Sequence, residues 1–419
     1  MKRIKTLFIA NIFPPMGGSG VQRSTKFVKY FGEFGIEPVV LTRECNLAQD
    51  VTLFEDVPND TKIIRTKAYD FTEWKKPFDL FGKVIARKVL VPDADYVWYK
   101  KTLEQAIQII EAEGIECIYS TSYPYSDHLL ARDVKRRFPN IPWVADFRDE
   151  WSMNPYIIDK NYSQKRMQKE KAMEESVAKE CDYFIANTRI MHENFLDMYP
   201  FLEGKSTIIT NGFDEADFWH VDKTYKRQDR FRIVHPGVIY GNRKVDKILK
   251  ATKELIDEKV IDIKDIEFKF IGQIKKEAIL EEGKRFGLNK VMTCPGYMSH
   301  KDTITELNRA EVLLLILREG EGGKNIAPGK IYEYINSNRP ILALAPKDGV
   351  AAEIVEKTET GIVCETTNVA QIKSGLERLY MNWKKNEFHI RPNYDIINDY
   401  SRKTLTQRLS EVIRTIVEQ

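Results

Sequence analysis

The sequence predicts an α/β protein made of two open, doubly wound parallel sheets in tandem that face a central cleft. Three observations predict it. Short β-rich runs alternate with helical patterns along nearly the whole chain, the signature of parallel strands covered by helices on both faces. The alternation pauses in a polar stretch from Asn211 to Arg230 and then resumes. A length of 419 residues suits two domains, each large enough to bury a core.

The first unit is the clearest. Thr6-Leu7-Phe8-Ile9-Ala10 reads as a buried strand, a Pro/Gly loop follows, and Phe27, Val28, Tyr30, Phe31 and Phe34 recur at helical spacing before a strand over Pro38–Thr42. That is a βαβ unit. Further strands are expected at Lys62–Thr66, Cys117–Ser120, Trp143–Ala145, Tyr183–Asn187 and Ser206–Thr210, with helices around 101–113, 127–138 and 164–180. After Asn211-Gly212 and the charged run Lys223–Arg230, which read as a connection, strands are expected at Phe231–Val234, Glu267–Ile271, Val291–Cys294, Glu311–Ile316, Ile341–Ala345 and Gly361–Cys364. Helices near 245–259, 276–286, 301–309, 329–337, 349–357 and 368–384 separate them. The expected division is a first domain over 1–212, a linker over 213–230, a second domain over 231–395 and a terminal segment over 396–419. In that last segment Leu405, Leu409, Val412 and Ile416 stand at helical spacing.

Composition removes several classes. Hydrophobic residues make up 42% and charged residues 30%, and 65 Lys+Arg against 62 Asp+Glu leave a net charge of +3. Neither disorder nor nucleic-acid binding fits that balance. No apolar stretch is long enough to span a bilayer, and Met1-Lys2-Arg3-Ile4-Lys5 leads directly into a strand-like run, so a cytoplasmic protein is expected. Five scattered cysteines without CxxC spacing predict no disulfide framework and no structural zinc.

Open α/β sheets bind ligands beyond the carboxyl ends of their strands, which directs attention to the loops there. After the first strand, Asn11-Ile12-Phe13-Pro14-Pro15-Met16-Gly17-Gly18-Ser19-Gly20 enters a helix. Gly17 and Gly18 fit either a tight turn or the close approach of backbone N–H groups to an anion. Their spacing is not GxGxxG, so a nicotinamide dinucleotide is not indicated. A second glycine-rich loop, Glu319–Lys330, enters the helix Ile331-Tyr332-Glu333-Tyr334 and carries Lys324 and Lys330, a combination suited to a diphosphate. Glu333 fits two roles, favouring the helix dipole or accepting hydrogen bonds from ribose hydroxyls.

Four segments stand in order: Phe13-Pro14-Pro15 with Gly17-Gly18, Trp143–Trp151 (WVADFRDEW), Thr210-Asn211-Gly212-Phe213-Asp214, and Lys330–Pro340 (KIYEYINSNRP). Together they resemble the family 4 glycosyltransferases of GT-B fold, whose two Rossmann-like domains enclose a cleft, and the similarity runs from about residue 4 to the last helix. The resemblance implies sugar transfer from a nucleotide diphosphate donor with retention, an acceptor-side first domain, a donor-binding second domain, and a last helix that crosses back to the first. It implies no metal and no cofactor, the nucleotide sugar being a substrate.

Carried over by residue, Glu333 matches the family's second motif Glu, which binds the donor ribose, whereas Asn325 stands where the first Glu would be. Gly329, Lys330 and Lys324 accompany them, and Met298 in Gly296-Tyr297-Met298 falls where related enzymes hold the base. Gly237–Lys244 matches the basic phosphate loop at Lys244 and Arg243, with Val238 replacing a frequent Arg. Arg243 and Lys244 would neutralise the departing diphosphate. On the acceptor side the resemblance gives Asp149 a sugar-positioning role, while Asp146, Arg148 and Asp149 fit a buried ion-pair network equally well. His128, in the first turn of a helix, either touches the acceptor or is structural.

Asp93-Ala94-Asp95 spells DxD, the metal-diphosphate signature of the other large glycosyltransferase fold, but its Pro-containing loop reads as a surface turn. Residues 75–90 place Lys75, Lys76, Lys83, Arg87 and Lys88 beside an apolar helical face, which fits either an anionic lipid surface or a core-facing helix. The first use suggests a protein peripheral at the inner face of the plasma membrane, acting on a saccharide or lipid-linked acceptor in surface polysaccharide or glycoconjugate biosynthesis. A sugar-nucleotide 2-epimerase of the same fold and an inactive nucleotide-sugar-binding scaffold are the competing readings.

Overall fold

The structure, a computed structural model, describes residues 3–17, 19–45, 52–67, 89–239, 244–387 and 390–419. The chain divides into two compact units, the first formed by Met1–Thr210 with Arg402–Gln419 and the second by Asn211–Ser401.

Among the described residues the first unit holds a seven-stranded sheet of β1 (Ile4–Ile9), β2 (Ile36–Arg43), β3 (Lys62–Thr66), β4 (Cys117–Ser122), β5 (Trp143–Phe147), β6 (Tyr183–Ala186) and β7 (Ser206–Ile208). The order is β3-β2-β1-β4-β5-β6-β7, with every pairing parallel. Its helices are α1 (Ser19–Phe31), α2 (Tyr96–Glu113), α3 (Ser126–Arg137), α4 (Pro155–Ile158), α5 (Gln164–Glu180) and α6 (Arg189–Met198). Alternation along β1 decides which side each covers. Leu7 and Ile9 face a core with Trp98 and Tyr99 of α2 and Leu129, Leu130 and Val134 of α3. Phe8 and Ala10 face the opposite core, with Phe27, Val28 and Phe31 of α1.

The second unit has β8 (Phe231–Pro236), β9 (Ile266–Ile271), β10 (Met292–Gly296), β11 (Val312–Ile316), β12 (Ile341–Leu344) and β13 (Gly361–Cys364), in the all-parallel order β10-β9-β8-β11-β12-β13. Its helices are α7 (Asp246–Asp257), α8 (Lys276–Arg285), α9 (His300–Asn308), α10 (Lys330–Asn336), α11 (Val350–Lys357), α12 (Val369–Lys384) and α13 (Tyr394–Asn398). Strand order reverses between β1 and β4 in one unit and between β8 and β11 in the other. Those reversals open a crevice at the carboxyl edge of each sheet.

The final helix, α14 (Arg402–Glu418), packs in the first unit. Its Leu405, Leu409 and Ile413 are buried in the core that holds Phe27, Val28 and Phe31.

Two expectations are corrected. The polar stretch 213–230 is part of the second unit, because its side chains serve buried groups there. Tyr225 donates its hydroxyl to Glu311 at 2.7 Å and Lys223 reaches Asn336 Oδ1 at 2.9 Å, so what reads as a linker is a polar strap. Asp93 of the DxD is buried, not a surface turn. Its carboxylate accepts from the Ser126 N–H at 3.0 Å and the Ser126 hydroxyl at 2.6 Å, holding the start of α3, while Asp95 pairs with Arg43 at 3.2 Å. The basic stretch 75–90 lies outside the described residues except for Val89 and Leu90.

Leu409 is fully buried, so Leu409→Ala should cost roughly 2–5 kcal/mol. Hydrogen exchange should then quicken across Met1–Thr210 and leave Asn211–Ser401 unchanged. Equal loosening of both units would contradict the assignment of α14.

Candidate active site

In the second unit the site grows from the ends of β8, β9 and β10. Gly237 follows β8 at φ 98° and Gly272 follows β9 at φ 122°, conformations that a side chain resists. The Gly237 N–H donates to Ile271 O and the Gly272 N–H to Gly296 O, both at 2.7 Å, so the three strand ends are laced together. A Cβ at Gly237 would lie 3.1 Å from Lys330 Nζ. The missing side chain is what lets that ammonium reach the strand end.

Lys330 opens α10 and donates to Pro236 O at 2.6 Å. Its Nζ also stands 3.2 Å from His235 Nε2, while His235 Nδ1 lies 2.8 Å from Leu314 O. A carbonyl can only accept, so Nδ1 carries the proton and Nε2 accepts from Lys330. The ammonium therefore sits where β8 and β11 diverge. One turn further, Glu333 is largely covered, with His300 Nδ1 at 3.8 Å, and His300 Nε2 lies 3.2 Å from Asp217.

The other residues expected here are spread around this pair. Lys324 makes an ion pair with Asp348 at 2.6 Å and its carbonyl accepts from the Val350 N–H at 2.8 Å, which ties the glycine-rich loop to the start of α11. Asn325 and Met298 are half-buried, and a Cβ at Gly329 would meet nothing within 4 Å. Lys244 is exposed, and Arg243 lies outside the described residues. Neither His235 nor His300 stands out in sequence, since a lone His inside a strand or at a helix start has no distinguishing pattern.

In the first unit the run Trp143–Trp151 separates into anchors and one accessible group. Asp146 is buried and receives two hydrogen bonds from Arg23 of α1, Nε at 2.8 Å and Nη2 at 2.7 Å, besides bonds from Tyr119 and Thr121. Burial alone would raise its carboxyl, but the Arg23 charge and these bonds hold it below the ordinary range. Trp151 stacks on Tyr125 at 4.6 Å and donates to Glu170 at 2.7 Å. Asp149 is the one exposed member of the run. Gly17 is half-buried in the loop before α1, and Gly18 lies outside the described residues.

His128 is fully buried. Its ring stacks on Phe147 at 4.3 Å, Nδ1 lies 2.8 Å from Ser120 Oγ, and Nε2 has no hydrogen-bond partner among the described residues. Burial pushes its pKa down to about 3, so the ring is neutral.

The Glycosyltransferase Family 4 model matches residues 20–217, and the Glycosyl transferases group 1 model matches residues 230–382. The chain belongs to the family 4-type GT-B glycosyltransferases. Solved structures agree on the fold. A glycosyltransferase from Rickettsia africae superposes with a TM-score of 0.67 at 15% identity, covering 100% of both chains. A lipopolysaccharide outer core galactosyltransferase gives 0.64 at 11% identity, covering 98% of this chain and 99% of that one. A UDP-N-acetylglucosamine 2-epimerase gives 0.56 at 11% identity, covering 98% and 95%. No curated protein matches the sequence. With both family models belonging to transferases, a glycosyltransferase fits better than an epimerase.

The two matched segments of this glycosyltransferase take in β2 to β7 of the first sheet and all six strands of the second. The buried His128 sets a pH dependence. Unfolded, its imidazole titrates near 6.5, so between about pH 6.5 and 3 the unfolded chain binds a proton that the native state refuses. Stability is complete above that window and falls with pH by up to about 1.4 kcal/mol per unit. In urea titrations His128→Gln should flatten the slope between about pH 6.5 and 4 by one proton, and an unchanged slope would contradict the assignment.

Proposed function

We propose that this glycosyltransferase binds a nucleotide diphosphate sugar on its second unit and transfers the sugar, with retention, to a saccharide or lipid-linked acceptor bound on its first. The observation that carries the reading is Lys330, whose ammonium lies at the divergence of β8 and β11 with Glu333 one turn along the same helix. A cation at that place suits a diphosphate, and a carboxylate one turn away suits the vicinal hydroxyls of a ribose.

In this reading Lys330 and the loop cations Lys244 and Arg243 offset the charge that gathers on the diphosphate as the glycosidic bond breaks. Asn325 and Lys324 border the donor sugar, and Met298 lies against the base. Asp149 orients the transferred sugar and forms no covalent bond to it. Gly17 and Gly18 belong to a loop whose backbone N–H groups suit an anion, and His128, buried as a neutral ring against Phe147, has a structural role.

A saccharide or lipid-linked acceptor would place the enzyme in assembly of a surface polysaccharide or glycoconjugate. The similar fold of a lipopolysaccharide outer core galactosyltransferase supports that class. Among the described residues no helix is long and apolar enough to cross a membrane.

The test is thermal stabilisation by UDP-, GDP- and ADP-sugars with and without EDTA. A donor at a hundred times its dissociation constant should add about 2.7 kcal/mol. One donor should stabilise the wild type and fail to stabilise Glu333→Ala, while Lys330→Ala should lower kcat by about 10²–10³-fold. The product's anomeric configuration, read by NMR, should match the donor's. Stabilisation of Glu333→Ala equal to that of the wild type would remove the ribose role.

A further inference from the structure

Arg148 lies just beyond β5 and spends its guanidinium on main chain. Its Nε donates to Ser122 O at the end of β4, Nη2 to Tyr123 O one residue on, and Nη1 to Gly20 O in the first turn of α1. These acceptors belong to the two strand-end loops on either side of the β1/β4 divergence. The Arg148 carbonyl in turn accepts from Asn187 Nδ2 at 3.0 Å, just past β6. A Cβ on Gly20 would lie 3.3 Å from Nη1, so the glycine leaves the guanidinium room. One turn further along α1, Arg23 makes the reverse tie, from α1 to Asp146 of β5 and to the Ile209 and Thr210 carbonyls after β7.

We propose that Arg148 is a positioning residue. It holds the β1, β4 and β5 loops as one rigid rim and so presents Asp149, its exposed neighbour, in a fixed place for transfer. The inference rests on the reading of the first unit as the acceptor side. A planar guanidinium can meet three carbonyls at fixed angles, whereas an ammonium cannot span them, so Lys is not an adequate substitute. The three bonds all go to main-chain carbonyls, and Arg148 belongs to none of the three apolar clusters of that unit, so their loss leaves the packed core in place.

The test uses the full chain as wild type, Arg148→Ala and Arg148→Lys. In Arg148→Ala, amide exchange in peptides containing Gly20, Ser122-Tyr123 and Asp149 should quicken together by about tenfold or more, with the β-strands still protected. Millimolar guanidinium should restore protection in Arg148→Ala and not in Arg148→Lys. With the donor that stabilises the wild type, Arg148→Ala should keep its donor dissociation constant within about twofold while transfer to alkyl glycosides falls by tenfold or more relative to donor hydrolysis. Unchanged exchange in the three peptides would overturn the inference, as would loosening of the whole unit without guanidinium rescue. Failure of every donor to stabilise the wild type would count against the donor reading alone, because the exchange measurement needs no donor.

Discussion

A parallel sheet covered on both faces leaves its strand ends as the place where polar chemistry can collect. In both units the flanking helices and strands are apolar on their facing sides, and residues such as Leu7, Phe8, Leu314 and Leu342 have no access to water. Polar groups of consequence therefore gather at the carboxyl edges, where strand order reverses and neighbouring loops part. The two edges are built alike. Each places a cation at the divergence and fastens it to a strand-end carbonyl, Arg148 on Ser122 in the first and Lys330 on Pro236 in the second.

What each cation does with its charge separates the halves. Arg148 directs its donors at backbone around it, and its charge also favours the ionised forms of Asp146 and Asp149. Lys330 donates to the Pro236 carbonyl and to the His235 imidazole, which fixes its positive charge at the strand end. Asp146 and Asp149 show the same division within a single run of sequence. The first is buried and held by Arg23, and the second is exposed on the rim that Arg148 braces.

Much of this was legible in the sequence because it follows from local chemistry. Each of the thirteen strands among the described residues coincides within about two residues with an expected run, since buried parallel strands are short apolar stretches bounded by loops. The helix expected around 164–180 is found at Gln164–Glu180, where the Ser163 hydroxyl accepts from the Arg166 N–H. The helix Arg189–Met198, which Thr188 caps and which buries Met191 and Phe195, was missed. Asp93 was misread. Proline, alanine and two aspartates look like a solvated turn until Ser126, far along the chain, supplies the partners that let the carboxylate be buried. The His235–Lys330 contact was invisible on the same ground, as its members are joined only by the fold.

The last helix has a consequence for how the molecule is made. Because α14 completes the core that α1 begins, the first unit stays open along one face while the ribosome produces all of Asn211–Ser401. Chains emerge at roughly 5–20 residues per second, so Phe27, Val28 and Phe31 wait many seconds for their covering. The second unit, contiguous in sequence, can close first although it is translated later. Nascent chains stalled before Arg402 would thus carry a folded second half beside an apolar surface of the kind that chaperones recognise.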